Sequence, residues 1–140
     1  VITVVIAIAM GSNPGVAVAS AAPLCARPTV RHCRIACEVT NVHAAWMALT
    51  LALDRLDGRS ARIVTNQTPL LRETPYWSGG GYALDYHDEA NRALRRIQQT
   101  GCEIVHTRTK NPLVKSPEAE AVRWLHAQAT KELWRWINDE

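Results

Sequence analysis

VITVVIAIAMGSNPGVAVASAAP, residues 1–23, is the stretch that decides how this chain folds. Residues 1–9 are apolar on both faces and rich in β-branched side chains, the composition of a central strand covered on two sides. Gly11-Ser12-Asn13-Pro14-Gly15 is a turn, and residues 16–22 form the strand that returns beside the first, so the chain opens with a hairpin. An apolar run followed by Ala17-Val18-Ala19-Ser20-Ala21 has the look of a secretory signal. No basic residue precedes it, however, and the turn interrupts it. About ten apolar residues are also too few to cross a bilayer as a helix. The expectation is a cytoplasmic protein with no membrane partner.

Working outward, residues 23–28 are a connection and residues 30–39 a half-solvated strand. Cys33, Ile35, Cys37 and Val39 lie on one face of it, and His32, Arg34 and Glu38 on the other. Thr40 or Asn41 caps a helix that runs to Leu56 and stops at Asp57-Gly58. Val42, Ala45, Trp46, Leu49 and Leu53 line one side of this helix. Ala44, Met47, Ala48 and Leu51 keep the other side apolar, so it should be nearly surrounded. A short strand at 61–65 leads to a helical turn at 69–73 and a Gly-rich aromatic loop at 74–86. A second helix at 88–99 turns Ala90, Leu94 and Ile97 inward and Arg92, Arg95 and Arg96 outward, and Gly101 ends it. A fifth strand covers 102–109. Ser116-Pro117-Glu118 then starts a last helix, whose buried stripe reads Val122, Leu125, Ala129, Leu133 and Ile137. Trp124, Trp134 and Trp136 cannot all share that stripe, so at least one is exposed and offers a surface for self-association or a protein partner.

The 140 residues fit one domain, 1–140, with no internal repeat or linker. At 47% hydrophobic and 21% charged, the chain is neither disordered nor low-complexity. Sixteen Lys+Arg against 13 Asp+Glu gives +3, too small a surplus to establish nucleic-acid binding by itself. The acids are unevenly placed, since the first is Glu38. Cys25, Cys33, Cys37 and Cys102 form no CxxC pair, so a structural metal site is not expected. Cys33 and Cys37 lie about 13 Å apart along a strand, which is beyond disulfide reach. Reduced thiols follow.

The order strand, strand, strand, helix, strand, helices, strand, helix resembles the ribonuclease H family. That resemblance implies an α/β fold with a five-stranded mixed sheet, three antiparallel strands first, flanked by helices. Local wording agrees along nearly the whole chain. Asn13-Pro14-Gly15 resembles the family's GNPG turn, Asn41-Val42 its helix start, and Thr65-Asn66 its Thr-Asp. Arg108-Thr109-Lys110-Asn111 is similar to the Arg-x-Arg-Asn of compact actinobacterial-type members. The resemblance implies hydrolysis of the RNA strand of an RNA–DNA hybrid by two Mg²⁺ ions, which several converging carboxylates must clamp about 4 Å apart.

Position by position, those carboxylates are missing. The first-strand Asp falls at Ala7, the helix Glu at Ala44 and the fourth-strand Asp at Asn66, a neutral isostere. Glu120 is a substitute for the last Asp, although a shifted alignment puts Val122 or Arg123 there. One carboxylate cannot offset the cost of dehydrating and juxtaposing two divalent cations. The expectation is therefore a catalytically degenerate domain, without cofactor or metal, that binds or scaffolds RNA or an RNA–DNA hybrid. Asn13 and Asn41 match family positions that hydrogen-bond in a minor groove, and each also suits a plain structural role as turn or cap residue. Arg108, Lys110 and Lys115 crowd the loop beside the emptied site, where phosphates would meet a net basic edge. Two rivals stand beside this reading. One is an active metal-dependent nuclease using Glu120, Glu38 and Asp85; the other is a purely protein-binding domain. Arg92, Arg95 and Arg96 read as a solvated helix face, and Asp85, His87, Asp88 and Glu89 as a helix start. Tyr76, Trp77, Tyr82 and Tyr86 read as loop packing or base stacking, and His126 as a packed or half-exposed histidine.

Overall fold

The computed structural model describes residues 2–11, 16–36, 40–68, 70 and 87–139. Asn13, Cys37, Glu38, the aromatic loop with Asp85, and all of the helical turn expected at 69–73 except Leu70 lie outside them. Five strands form one sheet in the order β3-β2-β1-β4-β5: β1 (Thr3–Met10), β2 (Ala17–Pro23), β3 (Arg31–Ile35), β4 (Arg62–Thr65) and β5 (Glu103–His106). β1, β2 and β3 are antiparallel neighbours, while β4 runs parallel to β1 and β5 parallel to β4. The described helices are α1 (Asn41–Leu56), α2 (His87–Thr100) and α3 (Pro117–Asn138). The mixed sheet with three antiparallel strands first is the expected one.

The two-faced apolarity of the opening strand has a direct structural cause. Val4, Ile6 and Ile8 pack with Ala45, Trp46, Leu49 and Leu53 of α1. Val5 and Ala7 point the other way, against Val122 and Leu125 of α3. From Val4 to Ala9 no side chain is more than 5% exposed. α2 lies outside α1, burying Ala90 and Ala93 while Arg96 reaches Asp54 at 2.6 Å.

Helix ends follow local chemistry. Thr40 Oγ1 accepts from the His43 N–H at 3.1 Å, and Ser116 Oγ accepts from the Ala119 N–H at 3.1 Å, with Pro117 in the first turn. At the far end of α1, Asp57 takes the left-handed conformation, φ 50°, ahead of Gly58 at φ 84°. A carboxylate there is doubly disfavoured, by its Cβ and by the negative end of the helix dipole.

Three expectations need correction. The strand expected to reach residue 39 ends at Ile35, and the one expected over 102–109 covers Glu103–His106. Ile137, assigned to the buried stripe of the last helix, is 41% exposed, because 22 residues of helix extend about 33 Å and outrun the sheet. Trp124 and Trp134 are exposed, as crowding of that stripe requires, while Trp136 is half-buried with Arg34 stacked 5.5 Å from its ring centroid.

Ala7, Ser20 and His32 form one row across β1, β2 and β3. Ser20 is fully buried, and its hydroxyl meets His32 Nδ1 at 2.6 Å. Burial pushes the His32 imidazole below its ordinary range, with Arg135 and Arg34 acting the same way and Glu132 opposing them. Glu132 accepts from Arg34 Nε at 3.1 Å and from Nη2 at 2.9 Å, and these bonds hold its carboxyl below the usual range.

The fold therefore disfavours protons at His32, and the unfolded chain binds more of them between the two pKa values. Stability should be fully present above the ordinary histidine value of about 6.5 and decline as pH falls through it, with Glu132 adding a further loss in the carboxylate range. Denaturant midpoints from pH 8 to pH 5 should show this decline, and His32→Gln should flatten its upper part. Asp57→Gly should raise stability by about 1 kcal/mol, read as a higher urea midpoint with unchanged slope.

Candidate nucleic-acid cleft

Three parallel strands, β1, β4 and β5, end on the same edge of the sheet, where α/β proteins place their ligands. A cleft of about 800 Å³ opens there. Ile8 and Met10 give it an apolar wall, and Asn41 enters from the start of α1. Asn66, Gln67 and Thr68 leave the end of β4, and residues 106–111 leave the end of β5. His126 closes it from α3.

The strand ends are tied together. The Thr107 N–H reaches Thr65 O at 2.9 Å, and Thr65 Oγ1 accepts from the Gln67 N–H at 2.9 Å. Asn66 Nδ2 donates to Thr109 Oγ1 at 2.9 Å, while its Oδ1 accepts from Gln67 Nε2 at 3.0 Å. The loop beyond is clamped by Arg123 of α3, whose Nε donates to Thr109 O at 3.1 Å and Nη2 to Asn111 O at 2.8 Å. Asn111 closes the loop on itself, its Oδ1 accepting from the Leu113 N–H at 3.0 Å. Arg108 and Lys110, between these ties, are exposed. The loop backbone is thus held while its two cations face the cleft.

Of the residues singled out from sequence, Asn41, Asn66, Arg108 and Lys110 meet in this cleft. Lys115 is exposed on the same loop but outside the lining. Ala7 is 1% exposed and sits among Val5, Ala22, Val64 and Leu125. Carried two residues past the Val5–Val64 pair, the parallel register sets Ala7 level with Asn66. Ala44 is fully buried in the core. Glu120 is exposed, outside the cleft lining, and bound to Arg123 Nη1 at 2.9 Å. Asn13, Glu38 and Asp85 lie outside the described residues.

Sequence reasoning passed over His106 and Gln67, quoted Thr109 only within the stretch 108–111, and read His126 as a packed or half-exposed helix histidine, whereas it is exposed. His126 stands four residues after Val122, which places it on the flank of the stripe that meets the sheet. His106 ends β5, and Gln67 and Thr109 follow the ends of β4 and β5 by two and three residues, a signal visible only once the strands are known to be parallel.

Among the described residues, no carboxylate lines the cleft. Arg108 and Lys110 carry positive charge, His106 and His126 add two imidazole rings, and four amides (Asn41, Asn66, Gln67 and Asn111) supply neutral donors and acceptors. Among the described residues, no three His, Cys, Asp or Glu side chains are grouped to hold a metal ion.

The backbone has close counterparts among solved structures. Native prototype foamy virus protease-reverse transcriptase matches 93% of this chain with a TM-score of 0.71 at 14% identity. The foamy viral protease-reverse transcriptase in complex with an RNA/DNA hybrid matches 93%, with a TM-score of 0.68 at 15% identity. RNase H1 from the halophilic archaeon Halobacterium salinarum NRC-1 matches 94%, with a TM-score of 0.56 at 17% identity, over 98% of its own length. The fold is that of ribonuclease H. The chain spans about a fifth of the foamy virus proteins, 20% and 19% of their lengths. No family model matches the sequence, and no curated protein does.

A ribonuclease H fold implies a pair of divalent cations, and the described residues do not fit them. Ala7 and Ala44 offer methyl groups, the Asn66 carbonyl oxygen already accepts from Gln67, and Glu120 is engaged by Arg123. Hard cations require several anionic oxygens at one point. Millimolar Mg²⁺ or Mn²⁺ should therefore leave the melting temperature unchanged relative to EDTA at matched ionic strength. Asn66→Asp alone should not create a metal-dependent shift.

Proposed function

We propose that this domain binds nucleic acid in the cleft at the ends of β1, β4 and β5, with an RNA–DNA hybrid as the best-fitting ligand, and does not hydrolyse it by two-metal chemistry. The observation that carries this reading is the lining itself, which among the described residues holds Arg108 and Lys110 and no carboxylate. Where anionic oxygens would repel the phosphate backbone until metal bridged the two, this cleft attracts phosphates directly. Arg108 offers a planar fork to phosphate oxygens and Lys110 a mobile point charge. Asn41 and the second amide hydrogen of Asn66 supply donors of the kind that meet 2′-hydroxyls and base edges. The structural likeness to a protein solved with an RNA/DNA hybrid supports the choice of ligand. Cys25, Cys33 and Cys102 are all free thiols, which suits a reducing, cytoplasmic setting.

A second reading, contact with a protein partner, is favoured by the outer face of α3, where Trp124, Trp134 and Ile137 are 40%, 59% and 41% exposed. The two readings use different surfaces and are compatible.

Hybrid binding should be equal in Mg²⁺ and in EDTA, and should weaken steeply with salt. Arg108→Gln and Lys110→Gln should each reduce the slope of log affinity against log salt by about 0.7–0.9. Fluorescence anisotropy with hybrid, duplex RNA and single strands measures this. Binding that disappears in EDTA, or Mg²⁺-dependent cleavage of the RNA strand, overturns the reading.

A further inference from the structure

Leu113 is the most exposed large apolar side chain among the described residues, at 83%. A single exposed leucine is ordinary. This one differs because the chain braces it in water. Asn111-Pro112-Leu113-Val114 is a tight turn, the Val114 N–H reaching Asn111 O at 3.1 Å, with Pro112 where its fixed φ suits the bend. Asn111 Oδ1 also accepts from the Leu113 N–H at 3.0 Å. Arg123 of α3 fastens the entry to the turn, its Nη2 donating to Asn111 O at 2.8 Å, and Ser116 caps α3 just beyond. A slack loop would fold its leucine back onto apolar neighbours. This loop holds its leucine out.

The turn stands beside the cleft. Asn111, its first residue, belongs to the lining, and Leu113 does not. Lys110 precedes the turn and Lys115 follows it, and both are exposed. The ion pairs among the described residues involve none of Arg108, Lys110 and Lys115. The tip is therefore apolar, with a cation on each leg. Two kinds of surface could cover it: an apolar pocket in a protein, or a gap between stacked bases. The cations favour the second, because phosphates run along both sides of every base step. Apolar side chains enter such steps from the minor groove and partly unstack them, at a cost that the added contact repays. In an A-form-like hybrid that groove is wide and shallow, so a turn tip can reach the bases. A wedge must also part the bases without bending away itself, which the braced turn provides.

We propose that Leu113 is a wedge that enters between adjacent bases of nucleic acid held in the cleft, with Lys110 and Lys115 on the flanking phosphates. The proposal deepens the cleft reading and rests on it, since the cleft must bring the nucleic acid to the turn.

Short RNA–DNA hybrids carrying 2-aminopurine at successive positions of the DNA strand report unstacking as a rise in emission. Binding of the full chain should raise the emission at a limited set of positions. Leu113→Ala should abolish that rise and weaken binding about five- to tenfold, because most of the buried apolar contact is lost. It should leave the slope of log affinity against log salt unchanged, since an apolar contact releases no counterions, whereas Lys115→Gln should reduce the slope by about 0.7–0.9. Leu113→Met, which keeps an apolar chain of similar volume, should restore both emission and affinity. Melting temperatures should match across the Leu113 variants, because the side chain is already exposed in the free protein. A rise that persists in Leu113→Ala, or an affinity that this change leaves unaltered, overturns the wedge and leaves the cleft reading standing. Hybrid binding with no rise at any position does the same. If the unaltered chain does not bind the hybrid, the cleft reading falls and the wedge falls with it.

Discussion

Burial of β1 on both faces is the constraint on which the rest of the structure depends. A strand with α1 on one side and α3 on the other can carry a charged side chain only where the sheet edge opens to water. The alternation of Ile6 and Ile8 toward α1 with Val5 and Ala7 toward α3 leaves no such opening before Met10. A methyl group at residue 7 therefore does two things at once. It lets α3 lie close over β1 and β4, and it places a methyl group in the row that ends at Asn66. Close packing and the lack of charge follow from the same small side chain, and Ala44, fully buried, repeats the pattern on α1.

The electrostatics of the molecule follow from where the remaining acids went. Asp54, Glu120 and Glu132 all lie on helices and all are held by arginines. Glu132 and Arg34 tie α3 to the edge strand β3, and Arg123 spends its guanidinium on the loop that follows β5. The same loop then presents Arg108 and Lys110 without a compensating carboxylate among the described cleft residues. The cleft owes its character to side chains that serve the fold as much as to those that line it.

Much of this was legible from residue order because the signals are local. A cap at Thr40, a stop at Asp57-Gly58, Ser116 ahead of Pro117 and a glycine at 101 each act within one turn of helix, so they survive without knowledge of the tertiary structure. The strand ends were overdrawn because pairing and not composition ends a strand. β3 and β5 are edge strands with a neighbour on one side only, and Arg123 holds Thr109 in a loop that alternation alone would extend as strand. The cleft was half legible. Asn41, Asn66, Arg108 and Lys110 stood out through resemblance, whereas His106 and His126 are 20 residues apart on different elements and come together only when α3 crosses the sheet.

The free side of β3 has one more property. Along it run Arg31, His32 and Arg34, and a second copy of the chain adding to that border would set guanidinium against guanidinium down the new ladder. Open borders of sheets are where chains polymerise, and a row of like charges is the usual deterrent. Arg34 on this border is already paired with Glu132, so the exposed charge of Arg31 is what a strand added beside β3 would have to face.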